Sequence, residues 1–131
     1  MSQRLPRQIC PDCRKPDTPS PALVREFFGD AAPDVQFYKG ASCAKCHFVG
    51  YRGRALVAEL WLPDEQDYLL IMRRAPLNEL KVSTTRTTIS MAQDAHARLR
   101  DGRTTLEELA RVLPYPAIAE HRERATRQGW T

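Results

Sequence analysis

Two Cys-x-x-Cys pairs constrain this chain more than anything else in it. They are Cys10-Pro-Asp-Cys13 and Cys43-Ala-Lys-Cys46. A two-residue gap lets a tight turn present two thiolates to one metal ion, and four soft ligands in a tetrahedron suit Zn2+. The 29 residues between the pairs exceed the usual zinc-ribbon separation, so they are expected to form a substructure of their own. The reading is a structural zinc site with Cys10, Cys13, Cys43 and Cys46 as ligands. Four thiolates leave the ion no open position for a water, which disfavours metal catalysis. Two positive charges against four lost protons give the site a net charge of about −2. Arg7, Arg14, Lys15, Lys45, Arg52 and Arg54 flank the pairs and are placed either to temper that charge or to face solvent.

Three other uses of the cysteines compete. Disulfides need an oxidising compartment, and the polar start Met1-Ser2-Gln3-Arg4 has no signal-peptide character. A redox Cys-x-x-Cys normally leads into a helix, whereas Pro16, Pro19 and Pro21 follow the first pair. Cys43-Ala-Lys-Cys46-His47 also matches a c-type haem attachment site, with His47 and either Met72 or Met91 as axial ligands. That reading leaves Cys10 and Cys13 without a role, and His47 is read instead as a surface residue.

Charge weighs on the partner class. Twenty Lys and Arg against sixteen Asp and Glu give +4, short of the clustered excess of a nucleic-acid binder. A nucleic-acid-binding zinc ribbon remains the alternative function, with Phe37, Tyr38, Phe48 and Tyr51 stacking on bases beside Arg52 and Arg54. The preferred reading puts these aromatics in a small core around the metal. The longest apolar run, residues 68–72, is far too short to span a bilayer. A cytoplasmic protein is expected.

The pattern predicts an α+β fold, with a zinc-stapled knuckle and hairpin lobe over residues 1–63 and a helical subdomain over 64–131. Ser20-Pro21 opens a helix that stops at Gly29. Residues 35–38 and 54–62 read as strands, the second with Leu56, Ala58, Leu60 and Leu62 on one face. Asp64 caps a helix to about Arg74, and a short helix covers 77–82. The hydroxyl-rich stretch 83–88 reads as a connector, and a helix spans 89–100. Thr105-Leu-Glu-Glu108 fits a capping box ahead of Leu106, Leu109, Ala110 and Leu113, the cleanest amphipathic spacing present. Pro114 ends that helix and Pro116 can open a last, mostly polar helix; the tail 115–131 is the segment most expected to be loose.

No Gly-x-x-x-x-Gly-Lys-[Ser/Thr], Gly-x-Ser-x-Gly or His-Glu-x-x-His occurs, so this stretch is expected not to be an enzyme. His96 reads as a residue at the core edge rather than a base. Asp64-Glu65 and Glu107-Glu108 sit at helix starts, where the helix dipole accounts for them.

Three segments in order carry a resemblance: Gln3-Arg-Leu…Cys10-Pro-Asp-Cys13, then Cys43-x-x-Cys46-x-x-x-Gly50-Tyr-Arg-Gly-Arg54-x-x-x-x-Glu59-Leu60, then Gly102-x-Thr-Thr-Leu-Glu-Glu108. Over residues 3–112 the chain resembles the C-terminal region of type II secretion and type IV pilus assembly ATPases. The resemblance implies a tetracysteine metal-binding element and a small helical subdomain following an ATPase core. It further implies that Arg54 and Glu59 stand for the family's Gly-Arg…Glu-Leu motif; on one regular strand, five apart, they would face opposite ways. As partners it implies the ATPase core of the parent protein, hexameric only at full length, and inner-membrane platform proteins. The implied location is cytoplasmic, peripheral to that membrane. The tail after Pro114 has no counterpart in the resemblance.

Overall fold

A computed structural model describes residues 1–127 together with Gly129 and Trp130. The fold is α+β, with the cysteines clustered in the N-terminal part and helices following. The N-terminal part is built from short antiparallel pairs. Strand β1 (Ser2–Arg4) pairs with β6 (Val57–Trp61), and β6 with β7 (Thr88–Ile89). Strand β2 (Arg7–Ile9) pairs with β5 (Tyr51–Arg54), and β3 (Arg14–Pro16) with β4 (Tyr38–Gly40).

Between the cysteine pairs, helix α1 (Pro21–Phe28) starts as its sequence dictates. Ser20 Oγ accepts from the Leu23 N–H at 3.3 Å, Pro21 fills the first turn, and Gly29 ends it at φ 61°. The last residues of α1, Phe27 and Phe28, are fully buried. They meet Met91, Ala95 and Leu99 of α4 (Met91–Arg100), Leu106 and Leu109 of α5 (Leu106–Val112), and Ala117, Ile118 and Ala125 of α6 (Tyr115–Arg127) in one core. Each such large side chain contributes roughly 1.5–3 kcal/mol when taken from water. The core therefore draws on the segment between the cysteines as well as on the later helices.

Three elements differ from the sequence expectation. The strand over 54–62 is two strands, with a break at Ala55 and Leu56 opposite Leu5 and Pro6; the Ala55 N–H still donates to Pro6 O at 3.0 Å in the shared register, but the proline has no N–H to add to the ladder. Val57 is then the buried residue of β6, while Leu56 and Leu62 are exposed. The stretch 83–88 is not a connector: α3 runs Leu77–Thr87 after α2 (Glu65–Met72). Its hydroxyls are absorbed, those of Thr84 and Thr85 donating back to Lys81 O at 3.2 and 2.9 Å, those of Ser83 and Thr87 to the Asp67 carboxylate at 2.6 and 2.7 Å. Asp67 is fully buried and held down to about 2, first by Ser83 and then by Thr87. The last helix expected after Pro114 does form, but over 115–127 it is packed rather than loose. It is α6, which buries Ala117, Ile118, His121 and Ala125 against α1 and α4. Gln128 and Thr131 lie outside the described residues. Among the described residues no helix is long and apolar enough to cross a membrane.

Candidate metal centre

Cys10 leaves the end of β2 and its N–H donates to Gly50 O at 3.0 Å. Cys43 caps a single 3-10 turn (Ala44–Cys46), after which His47 and Phe48 take left-handed backbone, φ 54° and 61°. That turn folds the chain under Cys46. The Cys46 sulfur accepts the backbone N–H groups of Cys43 and Gly50, both at 3.3 Å. These donors favour the thiolate, and the Cys43 N–H chiefly brings Cys46 down to about 6. Cys13 is pushed up to about 11, first by desolvation and then by the neighbouring thiols of Cys10 and Cys43.

The four sulfur atoms all lie within 4.8 Å of one another. Cys10–Cys43 and Cys13–Cys46 are 3.8 Å apart and Cys43–Cys46 is 3.7 Å. A tetrahedron of sulfurs bonded to one ion at about 2.3 Å has edges of about 3.8 Å. The donor set therefore fits a single tetrahedral ion, and the four cysteines could hold one.

Two glycines make this approach possible. A Cβ on Gly40 would lie 2.1 Å from Gly50 O, and Gly50 itself sits at φ +86°. Backbone here crosses backbone, and no side chain can yield. Gly40→Ala is expected to cost at least about 1–3 kcal/mol, the usual penalty for overpacking, readable as a lowered urea midpoint with unchanged m-value. A wild-type midpoint for Gly40→Ala would contradict the packing described.

Sequence comparison bears on what such a centre belongs to. The family model described as "Type II/IV secretion system protein" matches residues 1–111. The chain belongs to this family. Its relatives include the type II secretion system ATPase E of Vibrio cholerae serotype O1, 34% identical over 112 residues, or 86% of this chain and 22% of that one. The type IV pilus assembly ATPase PilB of Thermus thermophilus is 32% identical over 118 residues, 86% of this chain and 13% of the relative. The type IV pilus assembly ATPase TfpB of Acinetobacter baylyi is 33% identical over 118 residues, 87% of this chain and 20% of the relative. The chain thus spans about a fifth or less of the length of these relatives.

In this type II/IV secretion system chain the flanking cations have specific partners. Lys45 and Arg52 both reach Asp12, at 3.4 and 2.9 Å, tying the second knuckle to the first. Arg14 lies over the Tyr38 ring at 5.0 Å, and Arg54 donates to Leu5 O at 3.1 Å. Arg54 and Glu59 fall on different strands, β5 and β6, because of the break at Ala55 and Leu56. Asp12 went unnoticed in the sequence. Its signal was an acidic residue inside one Cys-x-x-Cys and a basic residue, Lys45, at the same position of the other.

The aromatics are mostly engaged. Phe37 meets Phe28 edge-on at 5.9 Å, and Tyr51 shares a 2.9 Å hydrogen bond with Thr105 while Arg7 lies 4.2 Å over its ring. With Tyr38 under Arg14, only Phe48 of the four is exposed. A base-stacking surface made of all four is therefore not formed. The haem ligand candidates are also dispersed: Met91 is buried in the core and Met72 is exposed on α2.

A further group joins the lobe to the helices. Glu108, only 2% exposed, accepts from the Arg7 backbone N–H at 2.8 Å, from Arg7 Nε at 2.9 Å and from Arg111 Nη2 at 2.8 Å. Burial alone would raise its carboxyl, but Arg111 and Arg7 outweigh that and hold it at about 2. Thr105 caps α5 as expected, accepting the Glu108 N–H at 3.2 Å. The reciprocal half of the capping box is absent because both arginines claim the Glu108 carboxylate.

Proposed function

We propose that this chain is a non-catalytic, structural zinc-binding C-terminal domain of a type II secretion or type IV pilus assembly ATPase. It works in the cytoplasm beside the inner membrane, where it helps dock the parent ATPase on its platform proteins and pass ATP-driven motion to them. The observation that carries this reading is the sulfur quartet, whose 3.7–3.8 Å spacings suit a tetrahedron of four thiolates. Cys10, Cys13, Cys43 and Cys46 would hold the ion, and zinc would supply a closed, redox-inert cross-link between two loops.

The chain's own residues turn that cross-link into a rigid connection. Arg7 and Glu108 bind β2 to α5, Thr104 Oγ1 donates to Arg7 O at 3.0 Å, and Tyr51 meets Thr105. A displacement of the lobe is thereby transmitted to the helices by hydrogen bonds and packing. Family membership supports the assignment to a secretion or pilus ATPase, and the cysteine chemistry supports zinc over harder ions.

Elemental analysis of the purified chain is expected to give one zinc per chain and no iron. Metal content far below one after purification without chelators, or iron in its place, overturns the zinc assignment. The docking role is tested by retention of the zinc-loaded chain on the cytoplasmic part of its platform protein. Equal retention of the chelated chain would separate docking from the metal.

A further inference from the structure

His96 and His121 form a buried pair that the metal reading does not use. His96 is 4% exposed and His121 fully buried, with Nδ1 of His96 3.1 Å from Nε2 of His121. His121 Nδ1 lies 2.6 Å from Phe27 O. A carbonyl can only accept, so His121 carries its proton on Nδ1 and its Nε2 must accept from His96 Nδ1–H. His96 Nε2 is then a bare lone pair, buried and without a hydrogen-bond partner among the described residues. With both rings neutral, the form that burial favours, these are the tautomers the hydrogen bonds require.

We propose that this pair is an acid-released latch that holds α6 against α1 at neutral pH and lets it go on protonation. The groups facing the pair give a proton little welcome. From α1 come only the Phe27 carbonyl and the Phe27 and Phe28 rings, the latter edge-on to His121 at 5.5 and 4.9 Å. From α4 comes Arg100 and from α6 Arg124, both lining the cavity of about 280 Å3 beside His96. Trp130 stacks on His96 at 4.2 Å. Asp34, in the loop after α1, is the one carboxylate facing the pair among the described residues, at 3.6 Å from His96 Nε2, and it is half exposed to solvent. A second proton, on His121 Nε2, would turn that acceptor into a donor facing the His96 Nδ1–H, breaking the bond and leaving a cation in the core.

Burial lowers both histidines, His121 to about 4. Groups lowered in the folded state bind more protons when released, so the docked form is fully favoured above the free value of about 6.5 and weakens as pH falls toward 4. Helix α6 packs on α1 and α4 and contributes none of the four cysteines, so it can undock without opening the knuckles.

Hydrogen exchange of the α6 amides, corrected for the intrinsic pH dependence of exchange, tests this on the full metal-loaded chain. A free value near 6.5 against about 4 for docked His121 gives roughly tenfold more opening at pH 5.5 than at 7.5. The amides of β2, β5 and the knuckles are expected to stay unchanged. The His96→Asn/His121→Asn chain keeps a donor at each Nδ1 position and does not titrate, so its α6 exchange is expected to be flat over this range. Uniform acceleration of all segments, or the same rise in the double variant, overturns the latch. Imidazole NMR of the unaltered chain decides independently of the variants. A His121 midpoint near 6.5 would refute the proposal, and one below about 5 with the proton on Nδ1 supports it.

Discussion

Cys46→Ser is expected to unfold the cysteine lobe and to loosen the helices packed against it. A structural zinc site of four cysteines supplies on the order of 10 kcal/mol of folding free energy, against a typical total stability of about 5–15 kcal/mol. Cys46 is the severest choice of the four, because its sulfur also collects the Cys43 and Gly50 N–H groups. The damage spreads because α1, carried between the two knuckles, inserts Phe27 and Phe28 into the helical core. The amide spectrum of Cys46→Ser is expected to collapse in residues 5–60 and to broaden in α4 and α5. Retention of full dispersion in metal-free protein would remove the metal from the folding account altogether.

Glu108→Ala is expected to cost about 3 kcal/mol, the low end for removing one partner from a buried ion-pair cluster. The low end applies because Arg7 and Arg111 are about half exposed and recover hydration when released. Urea unfolding of Glu108→Ala, Arg7→Ala and the double variant should be clearly non-additive. The pH dependence has a defined sign. Glu108 sits at about 2 in the folded chain against 4.5 otherwise, so its contribution is complete above about pH 4.5 and is lost as pH falls toward 2. Glu108→Gln should flatten the stability profile below about pH 4.5 and leave it parallel to wild type at pH 7. An unaltered acid slope in Glu108→Gln would mean that the arginines do not hold the carboxyl down. Asp67 titrates in the same direction and gives the residual slope.

Local signals in the sequence were reliable where a single residue acts on its neighbours. Ser20, Asp64 and Thr105 cap helices because each accepts an N–H three residues on, and that geometry depends on nothing distant. The cysteine spacing was equally legible, since each knuckle needs only four residues and the sulfur chemistry leaves few uses for two of them. What misled the reading was chemistry supplied from far along the chain. The hydroxyls of Ser83 and Thr87 look like a loop until Asp67, on another helix, accepts them. The helix over 115–127 was legible from Pro116, but its mostly polar sequence hid the stripe at 117, 118, 121 and 125 that packs on Phe27 and Phe28. The break at Ala55 and Leu56 lies opposite Leu5 and Pro6, far earlier in the chain, where the proline has no N–H to give the ladder although its carbonyl still accepts from Ala55. Gly40 gave no warning either, because the need for a bare backbone arises only where it crosses Gly50.

The stretch from Cys13 to Cys43 begins and ends at nearly the same point in space, with α1 at its far side. Such a segment is a hoop of fixed circumference. Closed by an ion at the sulfurs, the hoop would tie the position of Phe27 and Phe28 in the helical core to the geometry of the knuckle pair.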